Sequence, residues 1–183
     1  MFCDPLLLSV WLKRNPKSDS HFLDKLRVEA NSMTLTVRPI EIADFKPWLV
    51  LWNGYNTFYG RSGPTALPDA VTQTLWQRFF TPSEPVHGLV AVMEGEIVGI
   101  AHYLFHRSTS AIDDNAYLQD LFTAEALRGR GVARGLIAGV YAAAQAHGVH
   151  RLYWHTHETN VTAQKLYDKV AQKTGFIVYR HVE

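Results

Sequence analysis

The segment Arg128-Gly129-Arg130-Gly131-Val132-Ala133-Arg134-Gly135 is where chemistry is most legible in the chain. Its glycines let the backbone curl tightly and approach a ligand with no Cβ in the way. The segment lies between a predicted strand and a predicted helix. Successive N–H groups at that helix start point outward, and the helix dipole there favours an anion. Arg128, Arg130 and Arg134 add charge of the same sign. Together these features suit a diphosphate. Two named phosphate cradles fail. A Walker loop needs Gly-Lys-Ser/Thr after four intervening residues, and that is missing. A dinucleotide fingerprint needs Gly where Arg134 stands and an acidic residue about 20 positions on, where Trp154-His155 lies. The bland alternative, a basic surface turn, fits poorly between a strand and a helix. Further along, Asn160 and Tyr167 are two helical turns apart and so share a face. His155 and His157 point the same way on a strand, but two histidines without a third ligand predict no metal site.

The elements that must position these groups follow from periodicity. Thr34-Leu35-Thr36-Val37-Arg38 alternates and reads as a strand. Glu41 opens a helix to about Leu51, followed by an aromatic loop from Trp52 to Gly60. Pro68-Asp69 opens a second helix, with Val71, Leu75 and Phe79 at helical spacing. Gly88 to Met93 and Ile97 to Phe105 flank the turn Glu94-Gly95-Glu96 and predict a hairpin. Asn115 to Thr123 is another strand, and a helix runs from Ala133 to about His147. Its apolar stripe is Ala133, Leu136, Ile137, Val140 and Ala144, and Gly148 stops it. A strand covers Leu152 to His155, and a helix runs from Asn160 to about Lys173. Phe176-Ile177-Val178-Tyr179 reads as a last strand. Strands alternating with helices around a central hairpin predict an α/β fold on a mixed sheet.

Composition narrows the function classes. The chain has 183 residues, with 47% hydrophobic and 19% charged, enough for one domain with a sizeable core. Eighteen basic residues against 17 acidic leave a net charge of +1, so broad nucleic-acid binding and a polybasic membrane anchor have no global support. The single Cys3 excludes an intrachain disulfide framework and a multi-cysteine zinc site, and makes a reducing compartment the default. The apolar run Leu6 to Leu12 makes a poor signal peptide. Asp4 stands in place of a positive start, and Lys13-Arg14-Asn15-Pro16 in place of a cleavage site. The reading is a cytoplasmic protein. Residues 1–32 are expected to form an N-terminal extension, loosely packed or a short helix, and residues 33–183 the domain; Met33 is an alternative start.

Arg128-x-x-Gly131-x-Ala133 resembles the signature of the GNAT superfamily of N-acetyltransferases. Asn160-x-x-Ala163-x-x-Leu166-Tyr167 followed by Gly175-Phe176 is similar to that family's second motif. Tyr117 to Thr123, with Tyr153-Trp154-His155-Thr156-His157, most resembles the fungal histone and D-amino-acid acetyltransferase subgroup. The first of these segments is also similar to the polyamine acetyltransferases. The resemblance implies a single GNAT-type domain, a mixed sheet flanked by helices, that binds acetyl-CoA and acetylates a primary amine by direct attack. It implies that the pantetheine arm pairs with the backbone of Leu121, Phe122 and Thr123. The diphosphate would sit on the segment from Gly129 to Arg134, with Arg128 opening the motif. It further implies that Asn160 bonds the cofactor arm and that Tyr167 protonates the departing thiolate. Asn160 also suits a helix N-cap, and Tyr167 a core aromatic.

Polyamine relatives place a Glu where Gln119 stands, and Gln cannot accept a proton. Asp120, acting through water, is the favoured base, with His155 next and His102, His157 and Glu158 behind. Plain alternation sets Asp120 on the face opposite Gln119 and Leu121 unless a bulge intervenes. Gln119 also motivates the alternative reading, an acetyl-CoA-binding sensor without turnover. Small amines, amino acids, polyamines and protein lysines are all open as acceptors. Relatives in the subgroup often pair, so the resemblance implies a homodimer.

Overall fold

The computed structural model describes residues 34–181. The expected extension 1–32 and the alternative start Met33 lie outside the described residues. Five strands form one sheet in the order β1-β2-β3-β4-β5. They are β1 Leu35–Pro39, β2 Val86–Met93, β3 Glu96–His106, β4 Asn115–Thr123 and β5 Arg151–Trp154. The first four pair antiparallel, and β4 pairs with β5 in parallel. Parallel pairing needs a crossover, which is supplied by helix α3, Val132–Ala146. The other helices are α1 Phe45–Phe58, α2 Asp69–Arg78 and α4 Val161–Val170. The mixed α/β sheet expected from the sequence is the observed fold. Among the described residues no helix is long and apolar enough to cross a membrane.

Alternation along the strands sends neighbours to opposite faces. Ile100 packs with Trp48, Leu51, Trp52 and Tyr55 of α1. Its neighbour Gly99 faces the start of α3. An added Cβ there would lie 2.7 Å from Val132 Cγ1 and 3.0 Å from Leu136 Cδ1. The α3 stripe Val132, Leu136, Ile137, Val140 and Ala144 is buried. Gly99 thus sets how closely the first turn of α3, and the loop ahead of it, approaches the sheet. On the opposite face Gly54 does the same for α1, because its missing Cβ would sit 2.9 Å from Phe122 Cε1 on β4.

Three sequence expectations are corrected. The first helix does not stop near Leu51. It continues to Phe58, so the aromatic stretch from Trp52 is mostly helix, with Trp52 and Tyr55 buried. Its Pro47 sits in the first turn, where no helical hydrogen bond is lost, no proline follows between Leu51 and Phe58, and burial of its aromatic face against β3 and β4 carries it on. Helix α4 ends at Val170, not near Lys173, and Gly175 lies beyond it in the left-handed region. Finally, residues 176–179 form no strand, and Phe176, Ile177, Val178 and Tyr179 are all exposed. Their strand propensity is high, but a strand exists only where a neighbour accepts its ladder.

Gly99→Val overpacks the contact beneath α3. We expect a loss of roughly 1–3 kcal/mol in urea unfolding, and unchanged stability would show that α3 yields freely at this point.

Candidate active site

Strands β4 and β5 are neighbours for only four residue pairs, from Asn115 with Arg151 to Leu118 with Trp154. β4 then continues to Thr123, paired with β3 alone. From Gln119 onward its backbone is laddered on one side only. A strand so exposed offers N–H and C=O groups to any extended ligand laid beside it. The chain leaves β4, makes a short turn at Glu125–Leu127 and enters α3 through the glycine-arginine loop. Gly131 is the residue before the helix, at φ 86°, and Gly129 has φ 80°. Nothing lies within 4 Å of the place a Cβ would take at either. The helix start has no side-chain cap, and the N–H groups of Val132, Ala133 and Arg134 have no backbone acceptor among the described residues. Those are the orphan donors of a helix N-terminus, beside an open strand edge. Arg128 and Arg134 are exposed around them. This arrangement fits an extended arm ending in a diphosphate.

On the α1 side the register of β3 and β4 slips. His102 pairs with Asp120, whereas Tyr103 pairs with Leu118. Gln119 is the extra residue of this bulge. It is exposed, whereas Asp120 is only 8% exposed. Bulges re-aim side chains, and this one sets the Asp120 carboxylate against the side chains of α1 instead of Gln119. The Trp48 indole donates to His102 Nε2 at 2.9 Å, and His102 Nδ1 lies 3.0 Å from Asp120 Oδ2. An indole nitrogen only donates, so Nε2 must be the bare nitrogen, and the ring proton sits on Nδ1, donated to the carboxylate. His102, 1% exposed, is thereby held neutral in one tautomer. The Tyr55 phenol also lies beside Asp120. Burial pushes the Tyr55 phenol far above its usual range, and the Asp120 charge adds to the effect. Burial and then Asp120 also raise Tyr59, with the Arg61 guanidinium opposing.

Tyr167, on α4, meets Trp154 at the end of β5, ring centroids 5.4 Å apart. Its phenol is pushed up to about 12, first by burial and then by Tyr59. Tyr167 therefore shares the α1 side of the site with Tyr59 and, through it, Asp120. Asn160 caps α4, its amide oxygen accepting from the Ala163 N–H at 3.4 Å, while its NH₂ donates to Thr156 Oγ1 at 3.4 Å. The other proton-acceptor candidates separate. His155 is exposed and shares a hydrogen bond of 3.1 Å with the Tyr117 hydroxyl. His157 is exposed and bonded to Thr159, and Glu158 is exposed. Asp120 and His102 are the buried pair. Among the described residues three buried side-chain atoms lack a partner: Asn56 Oδ1, Arg61 Nε and Thr123 Oγ1. Two belong to the C-terminal end of α1 and its exit, and one to the open end of β4. Neither Arg61 nor the Trp48–His102 bond was singled out from sequence. A helix reading extended to Phe58 would have set Trp48, Trp52 and Tyr55 on one face, but not against His102.

Residues 48–171 match the acetyltransferase (GNAT) family. The chain is 36% identical over 148 residues to the D-amino-acid N-acetyltransferase HPA3 of Saccharomyces cerevisiae, covering 80% of this chain and 89% of that protein. The chain belongs to the GNAT family of acetyltransferases. As a GNAT enzyme it is an acetyl-CoA-dependent N-acetyltransferase. It is also 26% identical over 150 residues to an uncharacterized N-acetyltransferase, YycN, of Bacillus subtilis, covering 79% of this chain and 93% of that one. Its fold matches that of AAC(6')-Iy, solved with a bisubstrate analog of CoA, at a TM-score of 0.68 and 19% identity. That likeness covers 82% of this chain and 99% of the other. Arg128, Gly131 and Ala133, the residues whose spacing resembles the family signature, surround the start of α3.

Gly131→Trp puts a bulky side chain at a left-handed position in the middle of this opening. We expect calorimetric titration with CoA to show binding lost while circular dichroism keeps its native shape. Unchanged affinity would contradict the assignment of the cradle.

Proposed function

We propose that the enzyme binds acetyl-CoA in the cleft where β4 parts from β5 and passes the acetyl group directly to a primary amine. The observation that carries this reading is one continuous stretch, residues 119–134, with an open strand edge at one end and an open helix N-terminus at the other. In this reading Leu121, Phe122 and Thr123 ladder with the pantetheine amides. The diphosphate rests on N–H groups of Gly129, Arg130, Gly131, Val132, Ala133 and Arg134, with Arg128 adding positive charge. Asn160, besides capping its helix, faces the arm from the β5 side. An N–H of β4 turned toward the missing neighbour stabilises the thioester oxygen as it gains negative charge.

The acceptor arrives as an ammonium ion. Asp120 takes its proton through a water molecule, and the freed lone pair forms the N–C bond at the acetyl carbon. The C–S bond breaks, the thiolate takes the phenolic proton of Tyr167, and the acyl-bound nitrogen sheds its second proton to solvent, from which the phenolate is reprotonated. Burial that raises the phenol acts on the thiolate too, keeping donor and acceptor matched. His102 and Tyr55 orient the Asp120 carboxylate without exchanging protons with the acceptor themselves, since His102 Nε2 is occupied by Trp48. The sensor reading rested on Gln119, but the bulge turns Gln119 out and brings a carboxylate inward. The yeast relative is named for D-amino acids, so among the open acceptors a small amine or amino acid is favoured over a polyamine or a protein lysine. The domain is proposed to span 33–183, with 1–32 as an extension, in a cytoplasmic enzyme.

Tyr167→Phe is expected to lower kcat about 100-fold or more with little change in CoA affinity, and Asp120→Asn to do the same. With its phenol raised, Tyr167 keeps its proton at neutral and moderately alkaline pH. Wild-type kcat then shows no descent from its ionisation up to a pH of about 10. Stopped assays of free thiol across pH read both effects, and full turnover in either variant would remove that residue from its role.

We also propose a homodimer. The outer edge of β5 has no neighbour among the described strands, and residues 176–179 carry exposed apolar side chains just beyond α4. A second copy that buries them satisfies both. Sedimentation velocity is expected to give a dimer, and Ile177→Asp to shift it toward monomer. A monomeric wild-type protein would contradict this.

A further inference from the structure

Helix α1 ends in a complete left-handed turn. Gly60 has φ 73°, its N–H donates to Thr57 O at 3.0 Å, and the Arg61 N–H donates to Asn56 O at 2.9 Å. This is the Schellman arrangement, which turns the chain sharply back at the helix end. It brings Arg61 over the helix it has just left. The guanidinium carbon lies 5.4 Å from the centroid of the Tyr55 ring and 5.7 Å from that of Tyr59. Its Nε is buried and has no hydrogen-bond partner, and no carboxylate of the described residues pairs with it. A buried donor left unmade is costly, so its retention calls for a partner that comes from outside.

Asp120 and Arg61 reach the same two phenols with opposite sign, Asp120 raising Tyr55 and Tyr59 and Arg61 lowering them. Tyr55 and Tyr59 thus lie near both a carboxylate and a guanidinium that are not paired with each other. A lone amine needs only the first. A molecule with an ammonium group at one end and a carboxylate close by needs both. We infer that Arg61 is the docking point for a carboxylate on the acceptor, so that the enzyme acetylates α-amino acids, with the amine held at Asp120 and the acid at Arg61. The planar fork of arginine suits two parallel bonds to a carboxylate, and the Tyr55 and Tyr59 rings flank the guanidinium. This assignment rests on the acetyl-transfer reading for the place of the amine, and on Arg61 itself for the acid.

The test compares three acceptors that share one side chain: the free α-amino acid, its carboxamide, and the decarboxylated amine. Phenylalanine in both hands, phenylalaninamide and phenethylamine serve, with thiol release as the readout. The wild-type enzyme is expected to favour the free acid over the other two by about 10- to 100-fold in kcat/KM. Arg61→Gln is expected to erase most of that preference, chiefly through KM for the acid, and Arg61→Lys to keep part of it. CoA affinity checks that both variants fold. A preference ratio unchanged in Arg61→Gln, or no wild-type preference for the acid, overturns the assignment. A second arm reads binding without turnover, by calorimetric titration of each acceptor into the enzyme–CoA complex. If thiol release fails for every acceptor while the acid still binds in an Arg61-dependent way, the direct-attack chemistry is wrong and the carboxylate site stands. If turnover proceeds but binding ignores the carboxylate, the site is wrong and the chemistry stands.

Discussion

Beyond Leu118, β4 has a neighbour on one side only. That single lapse in pairing governs what the rest of the molecule can do. A backbone polar group that is neither laddered nor hydrated is expensive, so an unladdered strand must be offered to water or to a ligand that mimics a strand. β5 pairs for four residues and stops. The chain that follows turns through Thr156 into the cap at Asn160, and Trp154 is held by Tyr167. The strands therefore stay apart by construction. On the far side of the same opening, α3 begins without a cap, its first turn seated on Gly99. A cleft with ladder groups along its length and helix N–H groups at its mouth follows from these two local facts.

The other face of the sheet supplies the charge. Helix α1 comes close because Gly54 leaves room for Phe122, and its aromatic stripe both fills the core and, through Trp48 and His102, holds the Asp120 carboxylate. Trp48 is fully buried and stacked on Trp52, ring centroids 6.0 Å apart. Its indole fixes the tautomer of His102, and His102 fixes Asp120. The same side chains that fill the core thus fix the place of this carboxylate. Removing the indole bond would leave a buried imidazole nitrogen bare and would let the ring turn.

The parts of this arrangement that are local in the chain are the parts legible in the sequence. The glycine-arginine loop, Asn160 and Tyr167 at helical spacing, and the central hairpin are all read within windows of a few residues, and the structure places them in the elements expected. What depended on distant partners was less visible. The bulge at Gln119 follows from the register between β3 and β4, which alternation alone does not contain. The C-terminal run from Phe176 has the composition of a strand but no ladder to join among the described residues. Helix α1 runs past Leu51 because its aromatics find β3 and β4, a fact of packing. Arg61 is ordinary by sequence and becomes notable only when the turn at Gly60 lays it across Tyr55 and Tyr59.

The central claim is that the parted strands hold the coenzyme and orient its acetyl group toward Asp120. A crystal structure with bound CoA tests it most directly. The pantetheine amides are expected to ladder on the backbone of Leu121 to Thr123, the diphosphate to rest on the N–H groups at the start of α3, and the sulfur to lie near the Tyr167 hydroxyl. Coenzyme found elsewhere, or the open edge of β4 covered by protein chain, would contradict it.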